Sequence, residues 1–332
     1  MKSKKPKIGI ALSGSAGRAA AHVGIIEVLR EHNIPIDIVV GCSSGALVAA
    51  GVAVGTLDFI KSFSLNMSRK NLWKHLSLRR ARGGLFNFDN AQSDKTLKKL
   101  TKGLKFEDLK IKTGITASDI KTGELVTITT GDLAKAIKAA IALPGLFEPV
   151  IINGRILVDG GLVNVVPTIP TKQLGADIVI GIDLARTKFL YQRKLWFWKI
   201  IRRARRLVGI EYVQHQIISP LTSKILDTMD LAGYHRKKMP NMFRIFFWGV
   251  DHSFDVEKEL NEEQRTCDLM IEPDVKEWSG KWGLTNIHDV YLEGRRAGLA
   301  AIPKIQKLIK NFEKNQSENK HIQSDFEKII QI

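Results

Sequence analysis

The chain has 332 residues, 44% hydrophobic and 26% charged, which excludes wholesale disorder and allows one large domain or two ordinary ones. Two cysteines, Cys42 and Cys267, exclude a disulfide framework, and no Cys/His grouping has zinc-ligand spacing. The formal net charge of +17 is concentrated in two acid-free stretches: seven Lys/Arg between Phe59 and Phe88 and nine between Leu184 and Ile210, against 35 basic and 34 acidic residues elsewhere.

Taken in chain order, the first 21 residues carry a Lys-rich head and an alanine run, as a secretory signal would. Their apolar run, Ile8 to Leu12, is only five residues long and Arg18 precedes the alanines, so they read as part of the fold. Lys7 to Leu12 is a buried strand, Ser13 to Gly17 a loop of small residues, and Ala19 to His32 a helix with Val23, Ile26 and Leu29 on one face. Ile38 to Leu57 runs for twenty residues without a charge, the length of a membrane span. A turn, Gly41-Cys42-Ser43-Ser44-Gly45, divides it into a strand (Ile36 to Val40) and a small-residue helix (Ala46 to Val54). The chain is therefore expected to be cytoplasmic, with membrane contact no more than peripheral. Strand, loop, helix, strand, turn, helix implies parallel strands and right-handed crossovers, hence an α/β domain.

Further on, Thr113 to Ser118 and Leu125 to Thr129 form a hairpin, Leu133 to Ile141 a helix, Arg155 to Val158 a strand running into Asp159-Gly160-Gly161, and Ile178 to Asp183 and Leu269 to Ile271 two late strands. Val290 to Phe312 is a helix with Pro303 as a point of kinking, and residues 313–332 read as a frayed polar tail.

Gly41 to Gly45 has the form G-x-S-x-G between a strand and a helix, the setting in which glycines let a serine occupy a sharp turn with its hydroxyl projecting from the sheet. Ser43 is the candidate nucleophile; an ordinary capped turn is the alternative. A nucleophilic serine needs oxyanion donors, and Gly14, Ser15, Ala16 and Gly17 are small enough for backbone N–H groups to approach. A dinucleotide loop is excluded, because Ala16 and Ala19 stand where its glycines belong. No histidine sits in a catalytic motif, whereas Asp159 ends a strand at a turn that lets backbone come close.

Four blocks in order resemble the bacterial patatin-like phospholipases: Leu12 to Gly24, Gly41 to Gly45, Ala139 to Pro149, and Val158-Asp159-Gly160-Gly161. The resemblance implies a three-layer α/β/α fold with a mostly parallel central sheet, a Ser43–Asp159 dyad, an oxyanion hole at Gly14 to Gly17, and neither cofactor nor metal. It implies a lipid acyl hydrolase of phospholipase or lysophospholipase type, with a phospholipid or other acyl ester as substrate. The family's G-G-G-x-[RK]-G reads Gly14-Ser15-Ala16-Gly17-Arg18-Ala19, so Ser and Ala stand at three glycine positions, with strain expected if any of them requires positive φ. The rival readings are a soluble Ser-His-Asp carboxylesterase, with His288 as its only candidate base, and a non-enzymatic lipid-binding protein with a degenerate site.

The expected organisation is a catalytic domain of residues 1–186 and 265–312, a basic and aromatic insertion at 187–264, and the tail at 313–332. Within the insertion, Leu195 to Ile210 sorts Phe197, Ile200, Ile201, Ala204, Leu207 and Val208 onto one helical face and Lys199, Arg202, Arg203, Arg205 and Arg206 onto the other, with Trp196 and Trp198 at the margins. That pattern suits a helix lying on an anionic membrane surface; the alternative is a helix packed on its own domain with a solvated basic face. Trp73 and Leu76, in the first basic stretch, suit either a flap over the site or a plain surface helix-loop. No nucleic-acid recognition motif accompanies the charge, and oligomeric state is not legible.

Overall fold

The computed structural model describes residues 5–66, 74–75, 77–78, 84–87, 90–184, 266–275 and 286–330. The membrane-helix expectation at 195–210, the insertion at 187–264, and Trp73 and Leu76 lie outside these residues. Among the described residues no helix is long and apolar enough to cross a membrane.

The apolar runs of the sequence form the middle of an eight-stranded sheet. Strands β1 (Ile8–Leu12), β2 (Ile38–Cys42) and β10 (Ile178–Ile182) are buried along their whole length. Continuous burial on both faces is what a parallel strand covered by helices requires. β10 pairs in parallel with β1, β1 with β2, and β2 with β5 (Lys112–Asp119), and β11 (Leu269–Ile271) adds in parallel to β10. β6 (Leu125–Ile128), β8 (Val150–Ile152) and β9 (Arg155–Asp159) join antiparallel. Side chains alternate between the sheet's faces, so Val39 joins the main core while Ile38 and Val40 join a smaller cluster with Ala176 and Val179.

Helices α1 (Ala19–Glu31), α2 (Ser44–Val54), α3 (Leu57–Leu65), α4 (Ala91–Thr101) and α5 (Leu133–Ala140) contribute to the main core. The short helix α6 (Thr168–Gln173) packs on β1, β2 and β10 beside the smaller cluster. The result is the expected three-layer α/β/α sandwich with a mostly parallel sheet. Helix starts follow local chemistry: Asn90 caps α4 by accepting from Ser93 N–H at 2.8 Å, and Asp132 caps α5 by accepting from Lys135 N–H at 2.8 Å.

Two features depart from the sequence reading. A small separate sheet joins residues ahead of α4 to residues just beyond α5: β3 (Ser77–Leu78) pairs with β4 (Gly84–Asn87) and β4 with β7 (Gly145–Phe147). The last helix, α7 (Ile287–Ile330), runs through Pro303 and continues to Ile330, where a frayed tail is expected. It lies along α1 at backbone contact: a Cβ on Gly294 would stand 2.2 Å from the Ala21 carbonyl oxygen, and one on Gly24 2.4 Å from that of Tyr291. Across this seam Tyr291 Oη donates to Glu27 at 2.5 Å, Lys61 Nζ reaches Glu27 at 3.0 Å, and Arg295 grips Glu31 with two hydrogen bonds of 2.8 Å.

Candidate functional site

The site is built on β5. Ile115 pairs with both β2 and β6, so those two strands lie on opposite edges; Ala117 pairs with both β6 and β9, so β9 shares the β2 edge. On that edge Cys42, the last residue of β2, faces Thr116, and Asp159, the last residue of β9, faces Ala117. The two strands thus run toward each other and stop at consecutive β5 residues. β5 fastens both ends: Thr116 Oγ1 donates to the Gly41 carbonyl at 3.4 Å and Ser118 Oγ to the Gly160 carbonyl at 3.4 Å.

Ser43 follows β2 at φ 50° and ψ −123°, a conformation that costs on the order of 1–3 kcal/mol for a residue with a side chain. It persists because its flanks allow nothing else. A Cβ on Gly41 would sit 2.4 Å from the Gly45 carbonyl oxygen, and one on Gly45 2.5 Å from that of Leu12. Ser43 Oγ donates to Asp159 Oδ2 at 2.6 Å, while Asp159 Oδ1 accepts from Gly161 N–H at 2.8 Å. Asp159 is buried, and burial raises its carboxyl to about pKa 6 against the lowering pull of the Ser43 and Gly161 hydrogen bonds. Its own N–H donates to the Ala142 carbonyl at 2.9 Å, joining the Ala139 to Pro149 block to the site.

The first loop arrives from β1. Gly14 N–H donates to the Val165 carbonyl at 3.2 Å, and Ser15 N–H to Ser44 Oγ at 3.0 Å, with the two hydroxyls of Ser15 and Ser44 2.9 Å apart. These two expected oxyanion donors are thereby committed within the protein. Ala16 and Gly17 open a 3-10 turn (Ala16–Arg18), whose first N–H groups have no acceptor within the turn. Ser15, Ala16 and Ala19 all lie outside the positive-φ residues, so the anticipated strain at the three substituted glycine positions does not arise. Gly14 does carry a spatial demand, since a Cβ there would stand 3.0 Å from Ser43 Cβ.

His22, which sits in no catalytic-histidine motif, anchors this loop. It is fully buried on α1, its Nε2 lies 3.0 Å from the Ser13 carbonyl, and burial lowers its pKa to about 4. The imidazole is therefore neutral, and because a carbonyl only accepts, Nε2 bears the proton. Its partner is main chain, which no residue pattern announces. Arg18 closes the 3-10 turn, its Nε donating to the Ser15 carbonyl at 3.3 Å, and burial lowers its pKa despite the opposing pull of Asp183. His288 is exposed on the first turn of α7 with its ring 6.2 Å from Tyr291, and the hydrogen-bond partner of Ser43 Oγ is Asp159. Trp196, Trp198, Arg202, Arg203, Arg205 and Arg206 fall outside the described residues.

Residues 10–172 match the family model of the patatin-like phospholipases. The chain is similar to an uncharacterized NTE family protein of Mycobacterium tuberculosis, 29% identical over 182 residues that make up 55% of this chain and 50% of that protein. It is also 31% identical over 250 residues, 70% of this chain and 18% of the relative, to a patatin-like phospholipase domain-containing protein of Caenorhabditis elegans. A lysophospholipase NTE1 of Kluyveromyces lactis is 29% identical over 212 residues, 59% of this chain and 14% of that enzyme. The matched part thus spans half the length of the mycobacterial relative and less than a fifth of the other two. Among solved structures, VipD from Legionella pneumophila aligns over 91% of this chain and 68% of its own at 14% identity, with a TM-score of 0.47. Residues 10–172 are a patatin-like phospholipase domain.

Proposed function

We propose that this patatin-like domain is a serine lipid acyl hydrolase, a carboxylic ester hydrolase of phospholipase A or lysophospholipase type that works through a Ser43–Asp159 dyad. The observation that carries the reading is the 2.6 Å hydrogen bond from a serine held at positive φ to a buried carboxylate. Asp159 accepts the hydroxyl proton as Ser43 Oγ attacks the ester carbonyl, and returns it to the leaving alcohol as the tetrahedral intermediate collapses to an acyl-serine. Water then attacks the acyl carbon, giving its proton to Asp159, which passes it to Ser43 Oγ as the acyl–oxygen bond breaks and the fatty acid departs. An ordinary aspartate near pKa 3.9 is a poor base for a hydroxyl; one raised to about 6 is better matched while still ionised at neutral pH. The oxyanion donors are the N–H groups of Ala16 and Gly17, aided by the positive end of α2.

The test is labelling by a fluorophosphonate, which forms a covalent bond only with an activated serine. Wild type should label and Ser43→Ala should not. Equal labelling of both rejects Ser43 as the nucleophile, and labelling of neither returns the non-enzymatic reading. The same reading assigns the membrane contact to the basic face at Arg202, Arg203, Arg205 and Arg206. Their joint neutralisation should reduce sedimentation with anionic vesicles while sparing hydrolysis of a short soluble ester.

A further inference from the structure

A cavity lies between α3 and α4, its lining free of the dyad residues. It has a volume of about 330 Å³ and is lined by Phe59, Ser62, Phe63 and Asn66 of the α3 segment, by Lys74 and His75, and by Gln92, Lys95, Thr96 and Lys99 of α4. Three lysines line it and no carboxylate does. The two acids on these helices stand elsewhere: Asp94 is turned to Lys138 at 3.3 Å, and Asp58 is outside the lining. No described carboxylate lies within ion-pair distance of Lys74, Lys95 or Lys99.

The wall that carries Lys74 is tied down rather than draped. Ser93, itself buried, donates from Oγ to the His75 carbonyl at 2.6 Å, and the His75 ring nitrogen lies 3.1 Å from Thr96 Oγ1. Phe63 meets the His75 ring edge to face at 5.6 Å and stacks on Phe59 at 6.1 Å. The cavity is therefore amphipathic: α4 and the Lys74–His75 segment bring three lysines, and α3 brings two stacked aromatic rings beside Ser62 and Asn66. Three ammonium groups lining one cavity repel one another, and an anion among them offsets that repulsion.

We propose that this cleft binds the phosphate of an anionic glycerophospholipid as a site separate from the dyad. The three ammonium groups meet the phosphate oxygens, and Phe59 and Phe63 receive the glycerol and first acyl carbons. A volume of 330 Å³ is at the small end of ligand pockets, enough for a headgroup and not for a whole lipid. Lys74 itself belongs to the acid-free basic run from Phe59 to Phe88. The choice of ligand rests on the lipid-hydrolase reading; the site itself does not.

The experiment is calorimetric titration of the full chain at low salt with dihexanoyl phosphatidic acid, dihexanoyl phosphatidylcholine and inorganic phosphate. Phosphatidic acid should bind wild type and Ser43→Ala alike, at least about 10-fold tighter than either other probe. The Lys74→Gln, Lys95→Gln, Lys99→Gln triple variant should lose about 10-fold or more in that affinity. It should keep its fluorophosphonate labelling, since it leaves Ser43 and Asp159 untouched. Phe63→Ala should weaken the lipid and not phosphate. A control that removes equal charge outside the cleft, Lys98→Gln, Lys102→Gln, Lys105→Gln, should retain binding. Inorganic phosphate binding as tightly as the lipid, equal losses in the control, or no loss in the cleft triple each overturns the proposal. Loss of labelling in Ser43→Ala without any change in lipid binding separates this site from the dyad.

Discussion

Two loops meet at the candidate site, and they are built on opposite principles. The turn from β2 into α2 holds Ser43 at φ 50° between two glycines that have no room for a methyl group. The loop from β1 into α1 has none of its described residues at positive φ, and side-chain hydrogen bonds from Ser44 and His22 hold it in place. One is fixed by sterics and carries strain; the other is relaxed and fixed by polar contacts. The difference explains why Ser15, Ala16 and Ala19 can occupy positions where the family has glycine, while Gly41 and Gly45 are both kept. Strain is confined to the residue whose hydroxyl must project.

The largest effect expected is on turnover. Ser43→Ala and Asp159→Asn should each lower kcat for a short ester by about 1,000-fold or more, and the double variant should lose little beyond either. Turnover retained in Asp159→Asn would show that the strained turn holds its serine for another purpose. Next is Gly45→Ala, whose new methyl would meet two main-chain carbonyls at 2.5 and 2.7 Å. It should cost at least about 3 kcal/mol in urea unfolding. Ser15→Gly, in the relaxed loop, should stay within about 1 kcal/mol of wild type.

A third experiment uses pH. Turnover should rise through an apparent pKa near 6 as Asp159 ionises. Asp159 and His22 also act on stability with opposite signs. Asp159 has a folded pKa of about 6 against about 3.9 unfolded, so it disfavours folding as pH rises through that window. His22, at about 4 folded against about 6.5 unfolded, disfavours folding as pH falls through its own window. Across pH 4 to 6 the two nearly offset. Asp159→Asn removes one of them, so the variant should be more stable than wild type at pH 7 by about 3 kcal/mol or less and should lose stability more steeply on acidification. Parallel stability–pH curves for the two proteins would contradict this. The smallest effect contrasts two replacements at one position: Ser43→Gly should unfold about 1 kcal/mol later than Ser43→Ala, because glycine alone accepts φ 50° without strain.

What was legible in the sequence follows from how far each interaction reaches along the chain. Ser43 and Asp159 sit in turns whose chemistry is local, Gly-x-Ser-x-Gly and Asp-Gly-Gly, so each could be singled out where it stands. The parallel core was legible because β1, β2 and β10 are unbroken apolar runs. β7 and β8 were not: each is three residues long and depends on partners elsewhere, whereas the equally short β11 is marked by the Glu272-Pro273 that ends it. The engagement of Gly14 N–H with Val165 and the anchoring of Ser13 by His22 pass through main-chain groups. The length of α7 was missed because its polar C-terminal half reads as solvated tail, whereas helical hydrogen bonding needs no apolar face to continue.

The abutment of β2 and β9 on one strand separates distance along the chain from distance in space. Ser43 and Asp159 are 116 positions apart, yet their meeting is referred to two neighbouring residues of β5, Thr116 and Ala117. Insertions between β2 and β5, or between β5 and β9, can therefore lengthen or decorate the molecule with little effect on the gap between hydroxyl and carboxylate. A one-residue insertion between Thr116 and Ala117 would instead push the two strand ends apart by about one residue rise, roughly 3.3 Å, and break the hydrogen bond without altering either side chain. The fold thus leaves its connecting segments free to diversify and concentrates its dimensional tolerance in a single peptide unit.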